Sequence, residues 1–415
     1  PEIALFIEES CQREAKMTLL AWILVGAALV ALLLYGLGIV ATLRHTRRAP
    51  FRLPDAELPP ISLLKPIKGV EEGLEDNLRS FFDQEYAGER EVVFATTELD
   101  DPALPIARRV AAEFPEIPTR FVLSDPDYGL NPKVSNLAGA LAAARHDLVL
   151  QSDANVRAKP DYVRRIVSEI VLEGGDLLSS MVVGVGERSV GATLHNLQLG
   201  AFIAPGCCFA LRYFGIACVI GKSMLMRKSA LSEVGGLDSV KDLLAEDYVL
   251  GRMFQKAGKK VVLSTTTAEN VNVDATVDHF MGRHARWLKM RACIHVPGFV
   301  ADLTANATSM LALAAFVASG FAWGTGALLL LALVLKTLGD AYLVKITRGV
   351  PMALRHAVLA PLRDLVMVAV WPYAAVSRSI EWRGTKMRLG WGTRLYPDRG
   401  ALPVRVMRWV LSPLR

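Results

Sequence analysis

Cysteine is scarce in this 415-residue chain, and the five present show no metal-ligand spacing. Cys11, Cys207, Cys208, Cys218 and Cys293 form no CxxC pair, which argues against a zinc module or a disulfide framework and for a reduced, cytoplasm-facing domain. No GxGxxG lies between a strand and a helix, so a dinucleotide-binding turn is excluded. Internal repeats and low-complexity tracts are also missing. Aromatic residues make up only 7% of the chain, and no basic region interleaved with them resembles a base-reading module, which excludes nucleic acid as a partner.

What is abundant is apolar surface. Hydrophobic residues reach 52%, and the mean hydropathy is +0.32, above the usual share of a soluble domain. The net charge of +6 clusters beside the apolar segments, as expected for contact with anionic lipid head groups. Residues 1–17 form a polar tail, with Met17 a candidate start of translation. Residues 18–43 contain an uncharged run from position 19, about 25 residues or about 37 Å as a helix, long enough to span a bilayer. A cleaved signal would carry its positive charge ahead of that run; here Arg44, His45, Arg47, Arg48 and Arg52 follow it. The positive-inside rule therefore places the N-terminus outside and the next domain in the cytoplasm. Pro50, Pro54, Pro59 and Pro60 mark residues 44–60 as a linker.

Strand and helix alternate over residues 61–297. Strands are expected at 61–64, 92–95 and 120–123, and helices at 74–82, 105–114 and from Pro132. Such alternation predicts an α/β domain with a parallel sheet whose ligands sit at the carboxyl ends of its strands. In the stretch 147–157 a short apolar run delivers Asp153 to one such end, and Asp101 falls at another. Taken alone, Asp153 is a strand ending in an Asx turn.

Four groups of residues carry candidate chemistry. Asn131 can cap a helix opened by Pro132, with Lys133 beside free N–H groups that suit a diphosphate; without context this is an ordinary capped helix. Asp153 could hold a divalent cation, Mg2+ or Mn2+, across that diphosphate, although Asp153-Ala154-Asn155 lacks the second acid of a DxD motif. Asp247, in Glu246-Asp247, opens a helix over 248–255 and is the candidate general base. Arg283 and Arg286 share a helical face beside Trp287, which suits a departing diphosphate and equally suits a basic helix lying on a membrane.

These residues come in a telling order. Leu64-Lys65-Pro66-Ile67-Lys68-Gly69, Asp100-Asp101-Pro102-Ala103, Asn131-Pro132-Lys133, Asp153, Glu246-Asp247-Tyr248 and Arg283-His284-Ala285-Arg286-Trp287 together resemble the ceramide glucosyltransferase family of membrane-bound glycosyltransferases. The resemblance covers 58–297 and resumes at Arg363-Asp364 and Trp382-Arg383-Gly384. It implies a GT-A fold, a UDP-sugar donor, a lipid acceptor and an inverting reaction. Asp101 would contact the nucleotide, Asp153 the metal and diphosphate, and Asp247 would be the base; Arg283, Arg286 and Trp287 would border donor and acceptor. One departure is that Ala204, not histidine, precedes Pro205, while His195 lies nearby out of register.

The rest of the chain is expected to meet the membrane. Residues 197–221 are apolar but broken by proline, glycine and Arg212, which suggests an interfacial segment. Residues 298–377 hold a helical hairpin at 309–323 and 326–346. A third segment follows at 358–376, where Arg363-Asp364 favours a re-entrant or interfacial course. Residues 378–415 form a basic cytoplasmic tail. The expectation is an integral membrane enzyme that glucosylates ceramide. The rivals are a hopanoid or other lipid alcohol as acceptor, a processive polysaccharide synthase, and a non-catalytic scaffold.

Overall fold

The computed structural model describes residues 2–317, 323–382 and 385–398. Arg383, Gly384, residues 318–322 of the first hairpin helix and the tail from 399 onward lie outside the described residues. The chain opens with a single helix, α1 (Glu2–Thr46), that merges the expected tail and anchor. The linker after it is docked, not free. Leu53 and Leu58 are buried, the Leu53 N–H donates to Ser168 Oγ at 3.0 Å, and Arg164 reaches the Leu53 carbonyl at 2.9 Å.

The alternation then unfolds as expected. In order come β1 (Ile61–Pro66), α2 (Leu74–Phe82), β2 (Arg90–Thr96), α3 (Ala103–Ala112), β3 (Thr119–Leu123), α4 (Pro132–Ala143), β4 (Leu148–Ser152) and β5 (Val156–Arg157). They continue with α5 (Tyr162–Leu172), β6 (Leu177–Val185), α6 (Val190–Gln198), α7 (Ala204–Phe214), β7 (Ser223–Arg227), α8 (Lys228–Glu233), α9 (Glu246–Lys256) and β8 (Val261–Val271). The eight strands form one sheet in the order β3-β2-β1-β4-β7-β6-β8-β5. β3, β2, β1 and β4 run parallel, as predicted, whereas β7 is antiparallel to both β4 and β6 and β5 is antiparallel to β8, so the sheet is mixed. Apolar periodicity does not report strand direction, which is why the reversal at β7 escapes a sequence reading.

Helices cover both faces. One core packs α2, α3 and α5 through Leu78, Phe81, Val110 and Ile166; the other packs α4, α8 and α9 through Val134, Leu137, Leu231 and Phe254. Between α6 and α7 the chain runs through a π-helical turn, Leu199–Ile203, making one bent rod, and two-thirds of that rod's apolar window is buried in the protein.

The C-terminal region holds α10 (Val277–Ile294), α11 (Val296–Thr304), α12 (Ala307–Val317), α13 (Trp323–Arg348), α14 (Leu354–Ala357) and α15 (Ala360–Val376). A small antiparallel sheet of β9 (Ser379–Trp382), β10 (Thr385–Leu389) and β11 (Leu395–Pro397) closes the described chain. Four segments among the described residues are long and apolar enough to cross a membrane: Trp22–Thr46, Val190–Phe214, Gly326–Arg348 and Leu354–Val376. The Arg363-Asp364 pair that argued against a third crossing is fully neutralised. Arg363 meets Asp340 at 3.0 Å and Asp364 at 2.5 Å, and Lys336 meets Asp340 at 2.7 Å and also pairs with Asp364. Tyr35 of α1 donates to Asp340 at 2.9 Å, and Thr308 of α12 donates to Asp364 at 2.5 Å. Charge that is costly alone in hydrocarbon is tolerable when paired and facing the bundle interior.

Candidate active site

The carboxyl ends of the central strands open onto a cavity of about 1690 Å³. Its polar end is built around Asp153, which follows β4. Oδ1 lies 3.1 Å from Lys133 Nζ and Oδ2 lies 3.1 Å from Lys222 Nζ. Burial alone would raise the Asp153 carboxyl, but these two ammonium groups outweigh it and hold it at about 2. Lys133 sits where expected: Asn131 caps α4, accepting from the N–H groups of Lys133 and Val134 at 3.0 and 3.2 Å. Burial works against the Lys133 ammonium, yet Asp153, Glu246 and Asp247 hold its pKa above the ordinary lysine range.

Asp247 stands in the first turn of α9, the helix that Glu246-Asp247 was expected to open. Its Oδ2 accepts from Gly221 N at 2.5 Å and its Oδ1 from Tyr248 N at 2.7 Å. The Gly221 carbonyl in turn accepts from Lys133 Nζ at 2.7 Å and Gln151 Nε2 at 2.9 Å. A Cβ on Gly221 would meet Asp247 Oδ2 and Lys133 Nζ, each at 2.9 Å, so this close approach needs glycine. Glu246 points inward, 3.1 Å from Lys133 Nζ and accepting from Asn131 Nδ2 at 3.2 Å. Burial pushes its carboxyl up to about 7, opposed by Lys133 and reinforced by Asp247.

The cationic helix forms another wall. Arg283, Arg286 and Trp287 of α10 all line the cavity, and Arg286 lies over the Trp382 ring at 5.5 Å. Asp101 is placed differently from the other predicted residues. It is buried behind the Lys68-Gly69 loop, where both its oxygens accept from Gly69 N at 3.0 Å and Oδ1 also accepts from Ala103 N at 2.8 Å. Lys68 and Gly69, not Asp101, line the cavity.

Gly221 and Lys222 went unrecognised from sequence as parts of the site, whereas Glu246 was read with Asp247 as an acidic pair but given no role of its own. Lys222 also donates to Asn155 Oδ1 at 2.7 Å. The sequence signal for Gly221 and Lys222 was their Gly-Lys pair just ahead of β7, which looks like any turn. Among the described residues no three His, Cys, Asp or Glu side chains gather as a complete metal cage. Asp153 is the carboxylate that would hold a hard cation beside a diphosphate, and here its two oxygens are taken by Lys133 and Lys222.

From this polar end the cavity continues between apolar walls, with Phe202, Ile203 and Phe209 on the bent rod and Leu34, Tyr35 and Leu343 on the membrane helices. Among the described residues, Cys207, Cys208, Cys218 and Cys293 are free thiols. An α/β sheet that gathers cations and carboxylates at its strand ends, joined to an apolar groove among membrane-length helices, is the architecture of a membrane glycosyltransferase. The chain belongs to glycosyl transferase family 21, whose model matches residues 25–395. It is 27% identical over 374 residues to ceramide glucosyltransferase 1 of Caenorhabditis elegans, covering 85% of this chain and 76% of that protein. Ceramide glucosyltransferase 3 of the same organism is 25% identical, covering 83% and 76%. Among solved structures, the mannosyltransferase PcManGT from Pyrobaculum calidifontis, in complex with GDP-Man and Mn2+, aligns with a TM-score of 0.47 at 17% identity, covering 86% of this chain and 97% of that one.

Proposed function

We propose that this glycosyltransferase moves glucose from UDP-glucose to the hydroxyl of a membrane ceramide, with inversion, at the cytoplasmic face. The observation that carries this reading is the position of Asp247, in one cavity with the Lys133 and Lys222 cations on one side and apolar walls on the other. The names of the family relatives support glucose and ceramide. Arg44, Arg47 and Arg48 beyond the first apolar segment, with Lys345 and Arg348 ending α13, support the cytoplasmic orientation.

In this mechanism the acceptor oxygen forms a bond to the anomeric carbon while Asp247 takes its proton. The bond from that carbon to the β-phosphate oxygen breaks, and the electron pair leaves with UDP. Lys133, Lys222, Arg283 and Arg286 meet the charge that develops there. Asp153 would hold Mg2+ or Mn2+, which supplies further charge neutralisation at the diphosphate when bound. Asp101 serves the donor through Gly69, shaping the loop that borders it. A two-chain lipid keeps its tails in the bilayer, and the anchors together with the groove supply much of the orientation the reaction needs.

The test uses purified protein in lipid discs, UDP-[14C]glucose, and three acceptors: ceramide, a hopanoid polyol and a short soluble diol. Glucosylceramide as the dominant product is expected. Equal transfer to the soluble diol, or a long polysaccharide as sole product, would overturn the lipid-acceptor reading.

A further inference from the structure

His195 on α6 is buried at 2% exposure, and its ring lies between two residues of α10. Nε2 is 3.1 Å from Arg283 Nη1, and Nδ1 is 3.2 Å from His284 Nε2. A guanidinium can only donate, so His195 Nε2 must accept. The proton of the neutral ring is then on Nδ1, where it donates to His284. His284 accepts through Nε2 and carries its own proton on Nδ1. Burial, with Arg283 nearby, holds the His284 pKa well below the usual histidine range, consistent with a neutral ring. The result is a directed chain, Arg283 to His195 to His284.

Arg283 has other acceptors. His279 Nε2 lies 3.0 Å from Nη2, but His279 is one turn away on the same helix and moves with it. Asn272 Oδ1, just past β8, is at 3.5 Å. His195 is a close acceptor that comes from a separate helix, and α6 is buried along its length. We propose that His195 is a positioning residue that fixes the aim of the Arg283 guanidinium at the nucleoside diphosphate of the donor. This rests on the reading that Arg283 meets the donor diphosphate. A guanidinium held in advance binds an anion without first losing its rotamer freedom.

Two substitutions separate this role from simple packing. Glutamine places an amide oxygen near the Nε2 position and can still accept from Arg283, whereas asparagine reaches only the Nδ1 position, keeping His284 and losing Arg283. Binding of UDP, GDP and inorganic pyrophosphate is measured calorimetrically on the full chain in lipid discs, with melting temperatures alongside. His195→Asn should weaken UDP binding about tenfold, the scale of one lost hydrogen bond to a charged group. His195→Gln should stay within about threefold, and His195→Asn should add no further loss in an Arg283→Ala background. Wild-type affinity in His195→Asn, or equal losses in both variants, or a loss that persists without Arg283, overturns the proposal. Should the variants fail to fold, 15N shifts of the wild-type imidazoles decide it, since a protonated Nε2 on His195 overturns the relay. Wild-type binding of GDP or pyrophosphate but not UDP removes uridine from the functional reading and leaves His195 under the same test. Binding of none of the three overturns both.

Discussion

The backbone N–H of Gly221 donates to the Oδ2 of Asp247 at 2.5 Å, while the carbonyl of the same glycine accepts from Lys133 at 2.7 Å. One peptide segment thus holds both the proposed base and the first cation of the donor cradle.

Gly221→Ala should therefore separate activity from stability. The added Cβ meets the mobile ends of Asp247 and Lys133 at 2.9 Å, so the side chains can move aside but the geometry they hold cannot survive. We expect kcat to fall at least tenfold, since about 1.4 kcal/mol of lost transition-state stabilisation suffices, with the melting temperature shifted by only a few degrees. A variant that melts far below wild type but turns over normally when folded contradicts this.

Asp247→Asn removes the proton acceptor but keeps an oxygen for the Gly221 N–H. Turnover should drop by about 10² to 10⁴ with UDP affinity nearly unchanged, measured by steady-state kinetics and calorimetry. Near-normal turnover would take Asp247 out of the mechanism.

The Glu246 carboxyl, pushed up to about 7 by burial, gives donor binding a pH dependence. Below that value it is neutral; above it, a new negative charge stands 3.1 Å from Lys133 and opposes a diphosphate. Asp153, held at about 2, stays ionised throughout this range and contributes nothing to the change. UDP-glucose affinity should thus fall as pH rises through about 7, by roughly tenfold for a partly screened charge. In Glu246→Gln it should be flat and tight, and a flat wild-type profile would refute the assignment.

The helix bundle offers a stability test. Asp364→Leu leaves Lys336 and Arg363 with only Asp340 to neutralise them in a buried setting. Breaking such a pair costs about 3 to 5 kcal/mol, which should appear as a large drop in thermal stability in detergent. Wild-type stability would mean that the network is solvated.

Legibility from sequence divides along the chain's own logic. Lys133, Asp153 and Asp247 were readable because each stands at the start of a helix or the end of a strand, a place that local pattern predicts. Gly221 and Lys222 act through neighbours brought in by folding, and no local pattern marks them; Glu246 stands at the same helix start as Asp247, but that it turns inward onto Lys133 depends on the fold. Asp101 was found as a strand-end acid, but whether its carboxylate faces ligand or loop depends on the tight turn at Gly69, which has φ of 67°. Arg363-Asp364 looked like an obstacle because their partners, Lys336 and Asp340, lie on a different helix. The sheet's parallel half followed from alternation, whereas the reversed β7 had no signature.

The first helix does more than tether. His45, near its end, contacts the Ser264 carbonyl on β8 through Nε2 at 3.1 Å, and the following linker is pinned by Ser168 and Arg164. A domain on a slack leash could bob at many heights above the bilayer; this one is bolted to its mast. On the proposed mechanism the Asp247 carboxylate would therefore work at one depth, and lipid acceptors would be told apart by how far each hydroxyl stands out from the hydrocarbon boundary.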